Sequence, residues 1–344
     1  MIRAVVVDDS SFMVTVLSDI LEKDESIEVI GRGKNGEEAI ELNQEVDPDV
    51  ILMDIEMPVM DGLTALKKIM SDNPTPVIII SGMDDKDADN AVKALTAGAV
   101  DYIEKTSGTL SLDIRKKSKE IIRKVKKGAQ TGIKDRGALE KEREKSLRPK
   151  KTEDHLVTIA SSTGGVRALS ALLAPLPPDF PAPIVLVQHI PPEFSTHLAS
   201  TLDHKIDLSV KEASDRELLE EGVVYIVPAD SHGTVIKQEN KKCIKLNNKP
   251  KVNGVRPSAD YLFRSASEVY GENTVGVILS GMGKDGAVGA ECIKKEDGFL
   301  AVQEKESCVV NGMPKAAKKR AGADFVDTPL KIGEKLIDLF MERY

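Results

Sequence analysis

The chain has 344 residues, enough for two or three domains that each bury a core of their own. Its composition, 41% hydrophobic with no apolar run near the roughly 18 residues of a membrane span and no signal-peptide pattern at the N-terminus, predicts a cytoplasmic protein without membrane insertion. The three cysteines lack metal-site spacing, and the net charge of −8 combines a basic segment, residues 115–151, with an acidic remainder.

Residues 1–125 alternate short apolar runs typical of buried strands with amphipathic helical patterns. The predicted strands are Ala4-Val7, Ile27-Ile30, Val50-Met53, Val77-Ile80 and Val100-Ile103. The clearest helical patterns are Glu37-Gln44, Leu63-Met70 and Asp87-Ala97. This alternation predicts an α/β domain with a doubly wound parallel sheet of the flavodoxin-like type.

Polar residues follow the predicted strands where a ligand site of such a sheet lies. Asp8 and Asp9 end the first strand, Asp54 the third and Ser81 the fourth, and Lys105 follows the fifth. Converging carboxylates repel one another and favour a divalent cation such as Mg²⁺, while a lysine and a hydroxyl suit a phosphoryl group. If the acids were only helix caps and the lysine only surface, their shared placement would be unexplained.

Four motifs of this segment resemble the response-regulator receiver domain: V-V-D-D-S, M-D-I-E-M-P-V-M-D-G, I-I-S-G and A-G-A-V-D-Y-I-E-K. The resemblance implies that Asp54 accepts a phosphoryl group from a histidine kinase of the CheA type. It also implies that Asp8 and Asp9 help Asp54 to hold Mg²⁺.

By the same resemblance Ser81 and Lys105 sense the phosphoryl group, and Tyr102 is the switch aromatic. One position departs from the receiver pattern, because Thr106 stands where proline usually follows the lysine. A cis peptide bond before a residue other than proline costs about 3 kcal/mol, so the isomer of the Lys105-Thr106 bond is left open.

A last helix, with apolar positions from Leu112 to Val125, is predicted to close the first domain. Residues 126–151 then read as a charged linker, within which Ala138-Lys145 could form a short helix. Its basic excess could instead attract acidic surfaces or nucleic acid. The absence of aromatic residues between the charges favours a solvated tether.

Residues 152–344 repeat the strand and helix alternation and predict a second, mostly parallel, Rossmann-like α/β sheet. The predicted strands are Leu156-Ala160, Ile184-Gln188, Val223-Val227, Val275-Leu279 and Leu300-Gln303, with a hairpin across Thr234-Gln238 and Lys242-Leu246. A dinucleotide-binding fold is disfavoured, because the turn after the first strand lacks the G-x-G-x-x-G spacing and the second strand ends in Gln188 and His189 instead of an acid.

The first of these strands runs into Ser-Ser-Thr-Gly-Gly, a small-residue turn before a helix, where a serine is presented at the edge of the sheet. Ser162 is the candidate nucleophile, His189 its base and Asp285 the acid that orients the base. Backbone N–H groups near Thr163 and Met282 could form an oxyanion hole. The alternatives are that the hydroxyls only cap the helix Val166-Leu173, and that His232 is the base.

These residues lie in motifs that resemble the CheB-type chemotaxis methylesterases: S-S-T-G-G, Q-H-I-P-P, V-N-G-V-R-P-S-A-D, L-S-G-M-G-K-D-G and C-V-V-N-G-M-P. The family hydrolyses glutamate methyl esters on the cytoplasmic helices of methyl-accepting chemotaxis receptors, and some members deamidate receptor glutamines. The resemblance implies the same three catalytic residues, with Thr163 and Met282 lining the site. Ala160-Ser161 replaces the usual Gly-Ala, so Ser161 must be excluded as a competing nucleophile.

The sequence therefore predicts a phosphorylation-activated serine esterase of chemotaxis, which needs Mg²⁺ in its receiver domain and no cofactor for hydrolysis. A general esterase or amidase under receiver control is the alternative within enzymes. A response regulator with a binding output is the alternative outside them. No helix pair with a basic recognition face follows residue 152, which argues against DNA as the target.

Overall fold

A computed structural model describes residues 1–82, 84–105, 112–130, 147–149, 154–239 and 241–343. The chain divides into two compact units, residues 1–136 and 137–344. Two expectations, the isomer of the bond before Thr106 and the helix Ala138-Lys145, concern residues outside the described ranges. None of the helices in those ranges combines the length and the apolar character needed to cross a bilayer.

The first unit is built on one parallel sheet of five strands in the order β2-β1-β3-β4-β5. The strands are β1 (Ile2–Val7), β2 (Ile27–Gly33), β3 (Val50–Asp54), β4 (Val77–Ser81) and β5 (Asp101–Glu104). The helices are α1 (Ser11–Leu21), α2 (Gly36–Val46), α3 (Gly62–Asp72), α4 (Asp85–Ala97), α5 (Leu112–Lys116) and α6 (Ser118–Gly128). Strand order reverses between β1 and β3, so the crevice for a ligand is predicted at their carboxyl ends.

Side-chain caps fix where the first four helices begin. Ser10, Asn35, Asp61 and Asp84 each precede a helix and accept a hydrogen bond from the backbone N–H three residues later. A cap of this kind satisfies one of the helix's free N–H groups and contributes about 1 kcal/mol. Since Ser10 caps α1 and Asp61 caps α3, the carboxylates of Asp8, Asp9 and Asp54 are not needed as helix caps.

The single closing helix predicted from Leu112 to Val125 is wrong in one respect, because it breaks at Lys117 into α5 and α6. Lys117 has φ −86° and ψ 5°, outside the helical region. Its ammonium lies 2.7 Å from Glu104 at the end of β5. The break leaves the predicted apolar face in place, since Ile114, Ile121 and Val125 are all buried.

The second unit contains a seven-stranded sheet in the order β16-β15-β14-β7-β8-β11-β9, with every adjacent pair parallel. Its strands are β7 (Leu156–Ser161), β8 (Ile184–Gln188), β9 (Ser209–Glu212), β11 (Val223–Ile226), β14 (Thr274–Ile278), β15 (Phe299–Gln303) and β16 (Phe325–Asp327). Strand order reverses between β7 and β14, which places the crevice of this sheet beside the end of β7.

The second unit also contains antiparallel strands. They are β10 (Glu217–Leu218), β12 (His232–Gln238) and β13 (Lys241–Asn247) in a three-stranded sheet, and β6 (Leu147–Pro149) paired with β17 (Met341–Arg343). The hairpin of β12 and β13 was predicted. Strands β9 and β16 were missed because they are short and partly exposed, and so lack the continuous apolar run of a buried strand.

Helices cover the seven-stranded sheet. They are α7 (Gly165–Leu173), α8 (Pro192–Asp203), α9 (Ala259–Tyr270), α10 (Ala287–Lys295), α11 (Met313–Ala321) and α12 (Pro329–Phe340), with a 3₁₀ turn at Gly271–Asn273. One buried cluster joins α9, α10 and α11 to Leu156 and Ala160, alternate residues of β7. Because successive residues of a strand face opposite sides and every second residue faces the same side, this cluster lies on one face of the sheet and leaves the other face to other helices. The expected doubly wound, mostly parallel arrangement is thus confirmed in both units.

Candidate active site and phosphorylation site

The polar residues predicted at the strand ends of the first unit come together in one cleft. Asp8 and Asp54 are buried and Asp9 is exposed, and each offers a carboxylate oxygen within 4.8 Å of the others. Lys105 Nζ lies 2.7 Å from Asp54 Oδ2 and 3.0 Å from Asp8 Oδ2. Three oxygen donors at this spacing fit a hard divalent cation, and the ammonium marks where a further anion would be bound.

The charge state of Asp54 is set by competing effects. Burial raises its pKa, the ion pair with Lys105 lowers it, and repulsion from Asp8 raises it again; the result is a pKa of about 6 against an ordinary 3.8. Burial disfavours the charged form of Lys105 as well, but its two carboxylate partners outweigh burial and raise its pKa. Asp54 is therefore mostly ionised at neutral pH, with a lysine already in contact.

Ser81 and Tyr102 lie near this cleft without joining it. Ser81 ends β4, next to Asp54 on β3, but its hydroxyl donates to the backbone carbonyl of Asp87 at 3.3 Å. Tyr102 is half-buried, and Lys124 Nζ lies 4.6 Å from the centre of its ring. To sense a phosphoryl group on Asp54, the side chain of Ser81 or Tyr102 would therefore have to move away from its present partner.

In the second unit, the backbone brings Ser162 to the centre of the crevice. Strand β7 pairs with β14 through Ala160 and with β8 through Ser161 and Gln188. Just beyond these pairs, Ser162 N–H donates to Ser280 O at 3.0 Å and His189 N–H donates to Ser161 O at 3.1 Å. Ser162 therefore follows the middle one of three adjacent strands, with His189 on one side and the turn that carries Asp285 on the other.

His189 and Asp285 form a close pair at this edge, with 2.9 Å between His189 Nε2 and Asp285 Oδ2. Asp285 is only 2% exposed. Burial raises its pKa, but hydrogen bonds from His189, Ser258 Oγ and the Ala259 N–H outweigh burial and lower the pKa below its usual value. The carboxylate is thus held ionised, as an acid that orients an imidazole must be.

Because Asp285 contacts Nε2, the imidazole nitrogen left for a serine proton is Nδ1. Among the described residues the structure records no hydrogen bond between Ser162 Oγ and His189. In enzymes without substrate such bonds are often long and tighten only when the substrate binds. The two residues follow directly on the register pair of Ser161 and Gln188, which places them side by side at the ends of neighbouring strands.

The sequence offers Ser161 as a competing nucleophile, but its surroundings argue against that role. It is fully buried, and its hydroxyl donates to Gln188 Oε1 at 2.5 Å. Gln188 Nε2 in turn donates to the carbonyl of Ser162 at 3.0 Å. Gln188, to which the sequence motifs assign no role in the site, therefore fixes the turn that carries Ser162. Its role could have been suspected from the sequence, because Gln188 is a polar residue at the end of an otherwise apolar strand.

The alternative that the hydroxyls only cap a helix is wrong. Helix α7 has Gly164 at its N-cap, in a left-handed conformation with φ 74°, and no side chain caps it. The other alternative, His232 as base, is disfavoured. His232 is fully buried, with its Nε2 3.1 Å from Pro250 O and its Nδ1 accepting from Ser258 N–H.

Thr163 and Met282, the residues expected to line the site, are half-buried members of the two turns beside Ser162. Ser280 Oγ donates to Thr163 O at 2.8 Å and so ties the turns together. Gly281 is required between them, because a Cβ there would lie 2.3 Å from Met313 Sδ and 2.9 Å from Ser162 Cβ. The absence of that side chain lets the second turn approach the serine.

Comparison with known proteins agrees with both halves of this description. The CheB methylesterase family model matches residues 157–336, and the response regulator receiver domain model matches residues 4–115. A protein of Thermotoga maritima named protein-glutamate methylesterase/protein-glutamine glutaminase is 44% identical over 98% of this chain and 98% of its own length. One of the same name from Pyrococcus horikoshii is 41% identical over 98% of this chain and 93% of its own length.

Among solved structures, the Thermotoga maritima CheB methylesterase catalytic domain is 46% identical and superposes with a TM-score of 0.54, covering 55% of this chain and 100% of that domain. That coverage corresponds to the second unit alone. The family model matches span both units. The chain belongs to the CheB methylesterase family, and a response regulator receiver domain precedes its methylesterase domain.

Proposed function

We propose that this chain is a receiver-controlled protein-glutamate methylesterase that hydrolyses glutamate methyl esters on the cytoplasmic helices of chemoreceptors, and deamidates glutamines at such positions. The observation that carries the proposal is the pair of His189 and the ionised Asp285 beside Ser162 at the switch point of the second sheet. The names of the full-length relatives support the substrate and the second activity. Such a substrate implies a cytoplasmic location.

In the proposed reaction Ser162 Oγ attacks the ester carbonyl while His189 Nδ1 takes its proton. Backbone N–H groups of the turns at Thr163 and Met282 receive the oxyanion. Collapse of the tetrahedral intermediate breaks the bond to methoxide, which leaves as methanol with the proton from His189. Water, deprotonated by His189, then attacks the acyl carbon. The bond from that carbon to Ser162 Oγ breaks as His189 returns the proton to Oγ, which releases glutamate and restores Ser162. Asp285 stabilises the imidazolium in both halves, and a glutamine substrate follows the same steps with ammonia as leaving group.

We assign residues 1–125 to a receiver domain, 126–151 to a linker and 152–344 to the esterase domain. In the receiver, Asp54 accepts a phosphoryl group from a histidine kinase. Asp8, Asp9 and Asp54 would hold Mg²⁺, which when bound neutralises charge on the phosphoryl oxygens. Lys105 Nζ already contacts the carboxylate of Asp54, and it would bind the phosphoryl group attached there. Nucleic acid is not a partner in this assignment, and hydrolysis needs no cofactor.

The phosphoryl group is proposed to release a restraint on the esterase. It adds up to two negative charges beside Lys105 and offers Ser81 a stronger acceptor than its present backbone carbonyl. Movement of the Ser81 loop and of Tyr102 changes the nearby receiver surface. A surface that docks over the active site in one state need not dock in the other, which is how the receiver would control access to Ser162.

The deciding experiment measures methanol released from a methylated chemoreceptor by the full-length protein and by Ser162→Ala. Ser170→Ala is the matched control, because it removes a hydroxyl from the helix that follows the same turn, where it donates only to Val166 O. Release by the protein and the control, but not by Ser162→Ala, is expected. Hydrolysis of small esters without release from the receptor would favour the general esterase instead.

A further inference from the structure

Ser258 occupies the N-cap position of α9 but does not serve as a cap. Its backbone is extended, as at other N-caps, yet its side chain makes no capping hydrogen bond. A serine at this place normally accepts from an N–H of the first helical turn. Here the hydroxyl instead donates to Asp285 Oδ1 at 2.5 Å, and the Ala259 N–H donates to Asp285 Oδ2 at 2.7 Å. The start of α9 is therefore directed at the carboxylate.

The two oxygens of Asp285 are unequally supplied with donors. Oδ2 accepts from His189 and from the Ala259 N–H, whereas Oδ1 accepts from Ser258 Oγ. Since Asp285 is 2% exposed, water has little access to replace a lost donor. Without the hydroxyl, Oδ1 would be buried and unpaired, and the carboxylate would gain by turning away from His189 toward another donor.

Ser258 is itself held in place by His232. The Ser258 N–H donates to His232 Nδ1 at 3.1 Å, which requires the proton of the imidazole to be on Nε2, 3.1 Å from Pro250 O. His232 packs against Tyr261 with 4.4 Å between ring centres. Burial lowers the pKa of His232, which keeps the ring neutral and its Nδ1 an acceptor. The buried histidine thus has a defined task without being the base.

We propose that Ser258 is a positioning residue of this enzyme, which fixes the carboxylate of Asp285 against His189 and is held in turn by His232. The proposal adds a residue to the catalytic site described above, and it rests on the proposed function for the identity of the substrate. Ser258 acts through Asp285 and touches no reacting atom. Its effect should therefore appear in turnover and not in substrate binding.

The test compares full-length Ser258→Ala with Ser267→Ala. Ser267 is a matched control, since it is a buried serine of the same helix whose hydroxyl donates only to Arg264 O. We expect Ser258→Ala to lower kcat for receptor demethylation roughly tenfold at unchanged KM, as removal of a hydrogen bond to a charged group does, and Ser267→Ala to lower it less than about twofold. Equal kcat values in the two variants would overturn the proposal.

A double-mutant cycle separates positioning from folding. If Ser258 acts through Asp285, Ser258→Ala should have no further effect in an Asp285→Ala background. The same loss in both backgrounds would show that the hydroxyl only supports the fold. Rates are expressed per active site, counted by the end point of labelling with a fluorophosphonate, so that loss of folded protein does not enter.

The labelling rate also separates this inference from the proposed function. A fluorophosphonate reacts when the serine oxygen bonds to phosphorus, fluoride leaves and the base takes the proton, without any receptor. Slower labelling of Ser258→Ala, with no methanol from the receptor in the unmodified protein, would refute the substrate and keep the positioning role. If the unmodified protein releases methanol and Ser258→Ala is labelled at the full rate, the substrate is confirmed and the positioning role is refuted.

Discussion

Asp54 and Asp285 are both buried aspartates at the carboxyl edge of a parallel sheet, yet their environments shift the pKa in opposite directions. Asp54 is buried beside a second carboxylate, Asp8, and its pKa is raised to about 6 in spite of Lys105. Asp285 accepts from His189, Ser258 and the Ala259 N–H, and its pKa is lowered. Burial is common to both, so the donors and neighbouring charges decide which form folding favours. One edge suits capture of a cation and a phosphoryl group, and the other suits a permanent anion.

The largest expected effect is at the esterase edge. Ser162→Ala should lower hydrolysis by at least about 10⁴-fold, because the nucleophile is lost, whereas Ser161→Ala should keep most of it. Ser161 is buried and donates to Gln188, so its removal disturbs only the support of the turn. Initial rates of methanol release measure both. An exchange of the two results would move the nucleophile to Ser161.

The next effect concerns the base and its orienting acid. His189→Ala should fall nearly as far as Ser162→Ala, and Asp285→Asn should keep the fold and lose roughly 10⁴-fold in kcat, through the wrong imidazole tautomer. Circular dichroism and kcat measure the two properties separately. Near-normal activity of His189→Ala, together with an inactive His232→Ala, would transfer the role of base to His232.

A smaller effect is expected from the receiver. Deletion of residues 1–125 should raise basal hydrolysis about 5-fold or more, since coupling between such sites is typically about 1–3 kcal/mol. Asp54→Ala should keep basal turnover and lose activation by a small-molecule phosphodonor with Mg²⁺. Methanol release with and without the phosphodonor measures both. A truncated enzyme no faster than the unphosphorylated chain would contradict restraint by docking and favour recruitment to receptor clusters.

The smallest effect is on the free energy of unfolding, which Asp54→Asn and Asp285→Asn should change in opposite directions. Because the folded pKa of Asp54 lies above the unfolded value, its charge destabilises the fold increasingly as pH rises from 3.8 through about 6. Asp54→Asn should therefore raise the free energy of unfolding near neutral pH, on the order of 1 kcal/mol after the loss of the Lys105 pair, and change it less near pH 4.

For Asp285 the folded pKa is lowered, so its contribution to stability is present above the unfolded pKa and is lost as pH falls through the folded one. Asp285→Asn should accordingly lower the free energy of unfolding near neutral pH. Urea denaturation of the two variants at both pH values measures the difference. A stabilised Asp285→Asn would contradict the account of its three donors.

The sequence predicted what depends on local pattern. Apolar runs located the main strands of both sheets, and the residues after them, such as Asp54 and His189, lie where the sheets end. It could not predict contacts between distant segments: Ser258 and Asp285 are 27 residues apart, and no pattern indicates that a helix cap would turn toward a carboxylate. The break at Lys117 was also missed, because Ile114 and Ile121 on either side of it fit one apolar pattern; the ion pair of Lys117 with Glu104 is again a contact between distant segments.

The glycines of the esterase edge have a consequence for mutational libraries. Gly281 has no room for a side chain between Met313 and Ser162, and at Gly165 a Cβ would lie 2.7 Å from Ser161 Cβ. Neither glycine takes part in the proposed proton transfers. In a saturation screen for hydrolysis both should nevertheless tolerate substitution almost as poorly as Ser162, so a map of intolerant positions alone would not distinguish residues that react from residues that leave space.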